Sequence, residues 1–455
     1  IKLRANPTSH QKLILSQWMG CARSIWNAKV EEERYYRTYA RKYCTIGTYA
    51  PIDQTTSQFK SKELSPWLSE CPSQILRNSA VNWYQTYQKF MSGKCGRPKR
   101  KPKTDKGSIY LTREVFRFDH CDDGNVRLFI GTKTNNIGYL SFKAHGKFEI
   151  PNSLYVRKER GHYYVSFCYE QGQPDRKLST NEEHLAFLQG ATREYLEEHT
   201  MGVDRGVAIP VCAGEQTYDF THSQKKNMSK ADRYIKRLQR KLARQQKGSN
   251  RRAKTKHRIA VHHAKKANIR NDFAHKTSRL LVDSSAKIIV FEALRTARMT
   301  RRPKAKQDEQ GRFISNKAKQ KAGLNKSILN VGWHVIETYT YYKAYSSSKA
   351  VFKIPAPTTS QECAKCGHTH PDNRKTQALF VCGNCGNTDN ADHNASLVIK
   401  KRAINLILDT GTVLSGDGVL RTQSDSGRGG NRKTGRAKSS TSSAQRSVKK
   451  EKLAA

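Results

Sequence analysis

Residues 358–396 read TTSQECAKCGHTHPDNRKTQALFVCGNCGNTDNADHNAS. Cys363 and Cys366 form one Cys-x-x-Cys pair and Cys382 and Cys385 a second, with fifteen residues between them. That spacing suits two knuckles closing tetrahedrally on one zinc ion, whose thiolate ligands sit about 2.3 Å from the metal. Gly367 and Gly386 follow the second cysteine of each pair, where a tight knuckle favours a residue tolerant of positive φ. Two disulfides, or four unrelated buried thiols, are the alternatives. Four cysteines leave no open position for water, so a zinc ion here is expected to be structural and not catalytic. Asp389, Asp392 and Asn394 follow the second knuckle directly, and Ala395 to Ile399 then reads as a helix. The metal would thereby fix the start of a helix that carries a carboxylate near its first turn.

Working outward, the 455-residue chain is long enough for roughly two to four domains and a sizeable core. Its formal charge is +46, from 84 basic and 38 acidic side chains. An ordinary enzyme of neutral metabolites needs no such excess; a polyanion, nucleic acid first, is the natural partner. A membrane surface is the alternative, but no long apolar run and no strong amphipathic anchor is read, so no membrane partner is expected. Of eleven cysteines only these four are paired by spacing. Cys21, Cys44, Cys71, Cys95, Cys121, Cys168 and Cys212 are scattered, as free thiols in a reducing cytosol would be. A cytoplasmic, nucleoid-associated protein without a signal peptide is expected, and a few native residues are expected ahead of Ile1.

In chain order, Ile1 to Arg4 is a short alternating strand, and Pro7 opens a helical region with Leu13, Trp18, Cys21, Ile25 and Trp26 at its apolar positions. From Glu31 to Tyr43, Tyr35, Tyr36, Tyr39 and Tyr43 interleave with arginines. That mixture suits stacking on bases or, equally, packing in a helical bundle. A second helix is expected from Pro72 to Met91, with Ile75, Leu76, Trp83, Tyr87 and Phe90 inward. Gly96 to Lys103 is an extended basic linker, its prolines excluding a helix, with Arg97, Lys99, Arg100, Lys101 and Lys103 as candidate nucleic-acid contacts.

From Ile109 to Glu170 the period becomes two, with Asp122 to Asn125 a good hairpin turn. A small antiparallel barrel that includes the opening strand is expected, the helices between Thr8 and Lys94 being an insertion. Asn181 to Thr200 reads as a short acidic helix or linker, and Met201 to Val211 as a strand bending into a hairpin. Lys225 to Val282 is helical and carries about twenty lysines and arginines, among them Arg251, Arg252 and Arg270. With few acids to pair them, phosphate contact is preferred over a merely solvated face. Ala286 to Glu292 is a continuous apolar run ending in an acid, as in strands buried on both faces. Arg295 to Lys321 is basic and loop-like, a candidate lid, and Arg298, Arg301 and Arg302 could hold a strand by charge alone. Leu329, Trp333, Ile336 and Tyr339 mark an amphipathic helix and Val351 to Ile354 another strand. Beyond Gly411 the Ser, Gly, Lys and Arg content leads us to expect disorder.

Three acids stand out by position: Asp204 in the first strand of the C-terminal half, Glu292 at a strand end, and Asp392 at a helix start. Two divalent ions ~3.5–4 Å apart need carboxylates converging from separate elements to activate water and stabilise the leaving oxygen of a phosphodiester. Strand-end acids are also often structural, and sequence distance does not choose between the two readings.

The chain up to about Gly418 resembles the TnpB (OrfB) family, RNA-guided nucleases encoded by insertion sequences and related to type V CRISPR effectors. The resemblance lies in Lys2-Leu3-Arg4, Pro7, Gly20 to Asn27, Pro72-Ser73-Gln74, Gly96-Arg97-Pro98, Arg270 to Lys276, Lys326 to Trp333 and Thr359 to Cys363. It implies an α+β multidomain chain: an antiparallel wedge β-barrel (1–5 and 105–175) with an inserted helical recognition lobe (6–104), then a linker (176–200). An RNase H/RuvC-like α/β nuclease domain (201–357 and 389–412) follows, interrupted by a zinc-ribbon target nucleic-acid-binding domain (358–388), with a disordered basic tail (413–455). By motif, its three catalytic acids fall on Asp204 in Gly-Val-Asp-Arg-Gly, Glu292 in Val-Phe-Glu-Ala-Leu and Asp392 in Asp-His-Asn-Ala-Ser. They would hold two magnesium ions and cut DNA to leave a 5′-phosphate.

Its partners would be a guide RNA and a target double-stranded DNA bearing a short adjacent motif, with a monomer favoured. This sequence departs from the family pattern at Arg205, where leucine is commoner, and at Ala293, where aspartate is common; the acidic segment before Met201 is also longer. None of these removes a metal ligand. The rival readings are a compact type V CRISPR effector, an RNA-guided DNA-binding repressor without cleavage, and a transposase that joins DNA ends without RNA.

Overall fold

The computed structural model describes residues 1–40, 54–104, 106–120, 126–144, 148–169 and 178–422. Tyr43, the Asp122 to Asn125 turn and the chain beyond 422 lie outside them. Chain contacts divide the protein into two compact units, residues 1–176 with 241–261, and 177–240 with 262–455.

In the first unit, β1 (Lys2–Ala5) leads into α1 (Ser9–Tyr35), whose start is fixed by a capping box in which Thr8 and Gln11 satisfy each other's backbone N–H groups. Its buried stripe, Leu15, Trp18, Ala22, Ile25 and Trp26, meets Ile75, Leu76, Ala80 and Trp83 of α2 (Ser73–Met91). Leu13 falls off that stripe and is exposed, contrary to expectation. The strands β2 (Gly107–Thr112), β3 (Phe116–His120), β4 (Val126–Gly131), β5 (Asn136–Leu140), β6 (Phe142–Lys143), β7 (Ser153–Glu159) and β8 (His162–Ser166) follow. They form two antiparallel sheets, β2-β7-β8-β1-β6 and β3-β4-β5, so the opening strand pairs with β8 and β6 across the intervening helices. Alternation explains the core: Ile109, Leu111, Leu154 and Val156 point inward and their neighbours do not.

The second unit begins with α3 (Asn181–Gln189) and α4 (Arg193–His199). Of the two readings of Asn181 to Thr200, a short acidic helix or a linker, the helical one fits, as two helices. Thr180 with Glu183, and Thr192, cap the two helices, and Leu185, Leu188 and Leu196 are buried. The segment's acidity masked an apolar stripe. A mixed five-stranded sheet follows, in the order β11 (Gln216–Tyr218), β10 (Val211–Ala213), β9 (Thr200–Asp204), β12 (Ile288–Glu292) and β15 (Ala350–Ile354). Strands β9, β12 and β15 are parallel; β10 runs antiparallel to both its neighbours, β9 and β11.

The apolar run at β12 is buried on both faces, as its composition predicts. Ile289 and Phe291 face a core that includes Phe273 of α6 (Asn250–Asp283) and Ile336 of α9 (Trp333–Ser346). Ile288 and Val290 face another with Leu185, Leu188, Leu196 and Ile399, Ala403 and Ile407 of α10 (Ala391–Leu408). The basic region is a helical pair, α5 (His222–Ala243) followed by α6. Residues 295–321 hold a short α7 (Thr296–Met299) and two-residue strands β13 (Lys306–Gln307) and β14 (Phe313–Ile314) before α8 (Ala318–Val331) is under way.

Two further expectations are corrected. The amphipathic pattern from Leu329 to Tyr339 is not one helix: Gly332, at φ +80°, ends α8 and starts α9, leaving Leu329 exposed. The chain after Gly411 does not end its order there. It forms a hairpin of β16 (Thr412–Leu414) and β17 (Leu420–Thr422), and Lys353 N donates to Gly418 O at 2.9 Å. Val419 and Leu420 are buried, and two apolar residues in a polar stretch were enough to anchor it.

Candidate active site

Parallel pairing sets the first two acids side by side. Val203 on β9 is in register with Phe291 on β12, so the next residues, Asp204 and Glu292, emerge together at the carboxyl ends of adjacent strands. The third acid comes from α10, which starts at Ala391, earlier than the sequence pattern showed. Asn390 caps it, accepting from Asp392 N at 2.9 Å and His393 N at 3.3 Å, and so holds Asp392 in the first turn. The helix lies directly on β9 at Gly202, whose missing side chain makes the approach possible: a β-carbon there would fall 2.1 Å from Ser396 O.

The three carboxylates therefore share one corner, where burial and mutual charge act on their ionisation. Burial, then the charges of Glu292 and Asp392, push Asp204 up to about 7. Burial also raises Glu292 and Asp392, although Thr359, Arg205, Arg402 and Arg374 work against it at Glu292, and Arg374 at Asp392. The trio is open: among the described residues, only the four-cysteine group has three or more ligand atoms all within 4.8 Å of one another. Unneutralised carboxylates repel, and this set is one that divalent cations would stabilise by drawing it together. Two partners hold the acids in the meantime. Thr359 Oγ1 donates to Glu292 Oε1, and Arg374 Nη2 lies 3.2 Å from Asp392 Oδ1.

Both partners come from the cysteine segment, whose geometry suits zinc. Cys363 Sγ is 3.7 Å from Cys385 Sγ, and Cys366 Sγ 3.6 Å from Cys382 Sγ. Thiolates about 2.3 Å from a tetrahedral ion would be separated by about this much, whereas a disulfide spans about 2.05 Å. Gly367 and Gly386 have φ of +77° and +67°, the conformation the knuckles require. The backbone N–H of His368 favours the Cys366 thiolate, lowering it to about 6. Asn373 joins the knuckles, donating to Gln361 O and His368 O while accepting from Gly383 N. Asn394 then ties the first knuckle to α10: its Nδ2 donates to Glu362 O at 2.7 Å and its Oδ1 accepts from Ala364 N at 3.0 Å.

The candidate nucleic-acid contacts divide. Arg97 is committed to Glu33 and to the ring of Phe90, and Arg252 caps α5 through Leu242 O and Gln245 O. Arg100 pairs with Glu31, Lys101 lies over Trp26, and Arg270 is half-buried. Lys99, Lys103, Arg251, Arg298, Arg301 and Arg302 are exposed. Arg298 lines a groove of about 810 Å³ beside Glu292, together with Arg205, Arg295, His334, Lys353 and Arg421. Thr359 and Arg374 were missed by sequence reasoning: both stand in the quoted ribbon, but no linear pattern shows that they fold back onto the sheet.

Comparison with known proteins finds matches in three parts of the chain. Residues 1–39 match the helix-turn-helix domain model of the OrfB family of IS605, 166–302 its probable transposase model, and 333–399 the Cas12f1-like TNB domain. The putative RNA-guided DNA endonuclease InsQ of Escherichia coli (strain K12) is 27% identical over 397 residues, covering 87% of this chain and 90% of InsQ. A putative RNA-guided DNA endonuclease of Streptomyces pristinaespiralis is 24% identical over 437 residues, 94% of this chain and 93% of its own. The CRISPR-associated endodeoxyribonuclease Cas12f1 of Sulfoacidibacillus thermotolerans is 27% identical over 263 residues, 55% of this chain and 53% of its own. No helix among the described residues is long and apolar enough to cross a membrane. The chain is thus similar to the TnpB (OrfB) family of insertion-sequence proteins at its start, its centre and its cysteine ribbon.

Proposed function

We propose that the protein is an RNA-guided DNA endonuclease of a transposable element, with Asp204, Glu292 and Asp392 as its catalytic acids. One observation carries the reading: three carboxylates distant in sequence are brought to one corner, by the ends of two parallel strands and the first turn of a helix. The names of InsQ and Cas12f1 support it, as does the +46 charge, which suits a guide RNA and a target duplex. The mixed sheet with helices on both faces supports an RuvC-like assignment for 201–357 and 389–412. The two antiparallel sheets support a wedge barrel, with the helices inserted between β1 and β2 as recognition lobe.

The three acids would hold two magnesium ions, which supply Lewis-acid activation of water and stabilise the leaving oxygen. Thr359 sets the rotamer of Glu292, and Arg374 orients Asp392 and would hold a phosphate oxygen of the strand. The four thiolates of the ribbon would hold a structural zinc ion.

The test is to purify the full-length protein with the RNA of its native locus, sequence that RNA, and assay nicking of target DNA with and without magnesium. A long bound transcript ending in transposon-flanking sequence is expected. So is magnesium-dependent cleavage abolished both by RNase and by Asp204→Ala. A protein without RNA, or one whose activity survives RNase, would refute the reading.

A further inference from the structure

Arg205 follows Asp204, yet its side chain is only 2% exposed and turns into the sheet. Its Nη2 donates to the backbone oxygen of Glu292, and its guanidinium lies 4.9 Å from the centre of the Phe291 ring. Its Nη1 meets Glu337 Oε2 at 2.7 Å, and Glu337 Oε1 meets Lys353 Nζ at 3.1 Å. One guanidinium thus joins the end of β9 to the end of β12 and anchors both to α9, which Lys353 ties to β15. Its Nε, buried, has no hydrogen-bond partner among the described residues. A buried cation with an unmet donor is a poor choice for stability alone; apolar residues of similar volume usually fold as well or better.

We propose that Arg205 is a positioning residue for Glu292, held in place by Glu337. Glu292 is the last residue of β12, where the ladder gives way to a turn, and Leu294 N also donates to its carbonyl at 2.9 Å. Arg205 fixes that carbonyl from the side, so the peptide plane, and with it the direction in which the carboxylate leaves the strand, is set from β9. The planar fork is needed: it reaches Glu337 and Glu292 O at once, as an ammonium group on a flexible stem would not. Glu292 is thereby gripped at both ends, at the backbone by Arg205 and at the carboxylate by Thr359. The inference rests on the endonuclease reading for its kinetic consequence, but not for its effect on cation binding.

The experiment uses full-length protein with its RNA and the variants Arg205→Met, Glu337→Ala and Glu337→Gln. Mn²⁺ binding is followed by the loss of the free-ion electron paramagnetic resonance signal, alongside single-turnover cleavage at saturating DNA and thermal melting. Arg205→Met is expected to melt no lower than the parent, to bind Mn²⁺ several-fold more weakly, and to cleave about ten- to a hundredfold more slowly with unchanged DNA affinity. Glu337→Ala is expected to follow it, while Glu337→Gln, which keeps an acceptor for Nη1, stays near the parent. Parent-like Mn²⁺ binding and cleavage in Arg205→Met overturns the proposal. Should that variant not fold, parent-like behaviour of Glu337→Ala does so. If the parent itself cuts no DNA, the endonuclease reading falls, and the Mn²⁺ affinities still decide for or against positioning.

Discussion

Gly202→Ala is the sharpest perturbation of the site that touches none of its acids. Gly202 is buried in the middle of β9 with no positive φ, so glycine is needed there for space and not for conformation. The added methyl would lie 2.1 Å from Ser396 O, 2.7 Å from Lys400 N and 3.2 Å from Ile399 Cβ, all on α10. Ordinary contact begins near 3.4 Å, so the helix must retreat by about 1.3 Å at Ser396. Ser396 stands one turn after Asp392, so the retreat carries that carboxylate away from Asp204. A displacement of about 1 Å at a reacting centre costs on the order of a hundredfold in rate, whereas overpacking costs only about 1–3 kcal/mol in stability. The assay is single-turnover, magnesium-dependent cleavage by the RNA-loaded protein, with melting as the control for folding. Gly323→Ala, in α8 with nothing within 4 Å of its added methyl, should leave the rate unchanged and melt slightly higher. A folded Gly202→Ala protein that cleaves within a few-fold of the parent would show that the α10–β9 contact does not set the site.

Three further outcomes are expected. In magnesium-free buffer Asp204→Asn should stabilise the protein: the folded value of Asp204, about 7, lies above its ordinary 3.8. The parent's relative stability is therefore full below about pH 3.8 and is lost as pH rises towards 7, so the melting gain should be larger at pH 8 than at pH 4.5, and equal gains would contradict the burial of that charge. Cys382→Ser should reduce zinc content from one ion per chain towards none and slow cleavage by roughly tenfold or more, through loss of the Asn394, Thr359 and Arg374 contacts; full activity without zinc would uncouple the ribbon from the acids. Thr359→Val, equal in shape but lacking the hydroxyl that donates to Glu292, should lower the single-turnover rate by about tenfold and raise the magnesium concentration needed for half the maximal rate, both unchanged if Glu292 is oriented by packing alone.

The sequence alone determined what depends on local chemistry. Cysteine spacing with Gly367 and Gly386 specified the knuckles, because four thiolates on short turns have few other uses. The apolar run from Ala286 to Glu292 specified a strand buried on both faces, and period-two alternation specified the antiparallel strands. Where charge dominated, the sequence left helix and linker both open, and three leucines in that acidic segment pack two helices; where the pattern was short it misled, since two apolar residues, Val419 and Leu420, anchor a hairpin in a stretch expected to be disordered. Hydrophobic burial depends on how many apolar contacts a segment makes once folded, not on its average composition.

Only the tertiary structure decided how the pieces meet. Register between β9 and β12 puts Asp204 beside Glu292, and the bare backbone at Gly202 lets α10 bring Asp392 to both. Thr359 and Arg374 return from the ribbon to the acids, and Arg205 turns inward to brace Glu292. These are contacts between residues far apart along the chain. They arise when sheet, helix and ribbon pack, and no periodicity or spacing in the sequence encodes them.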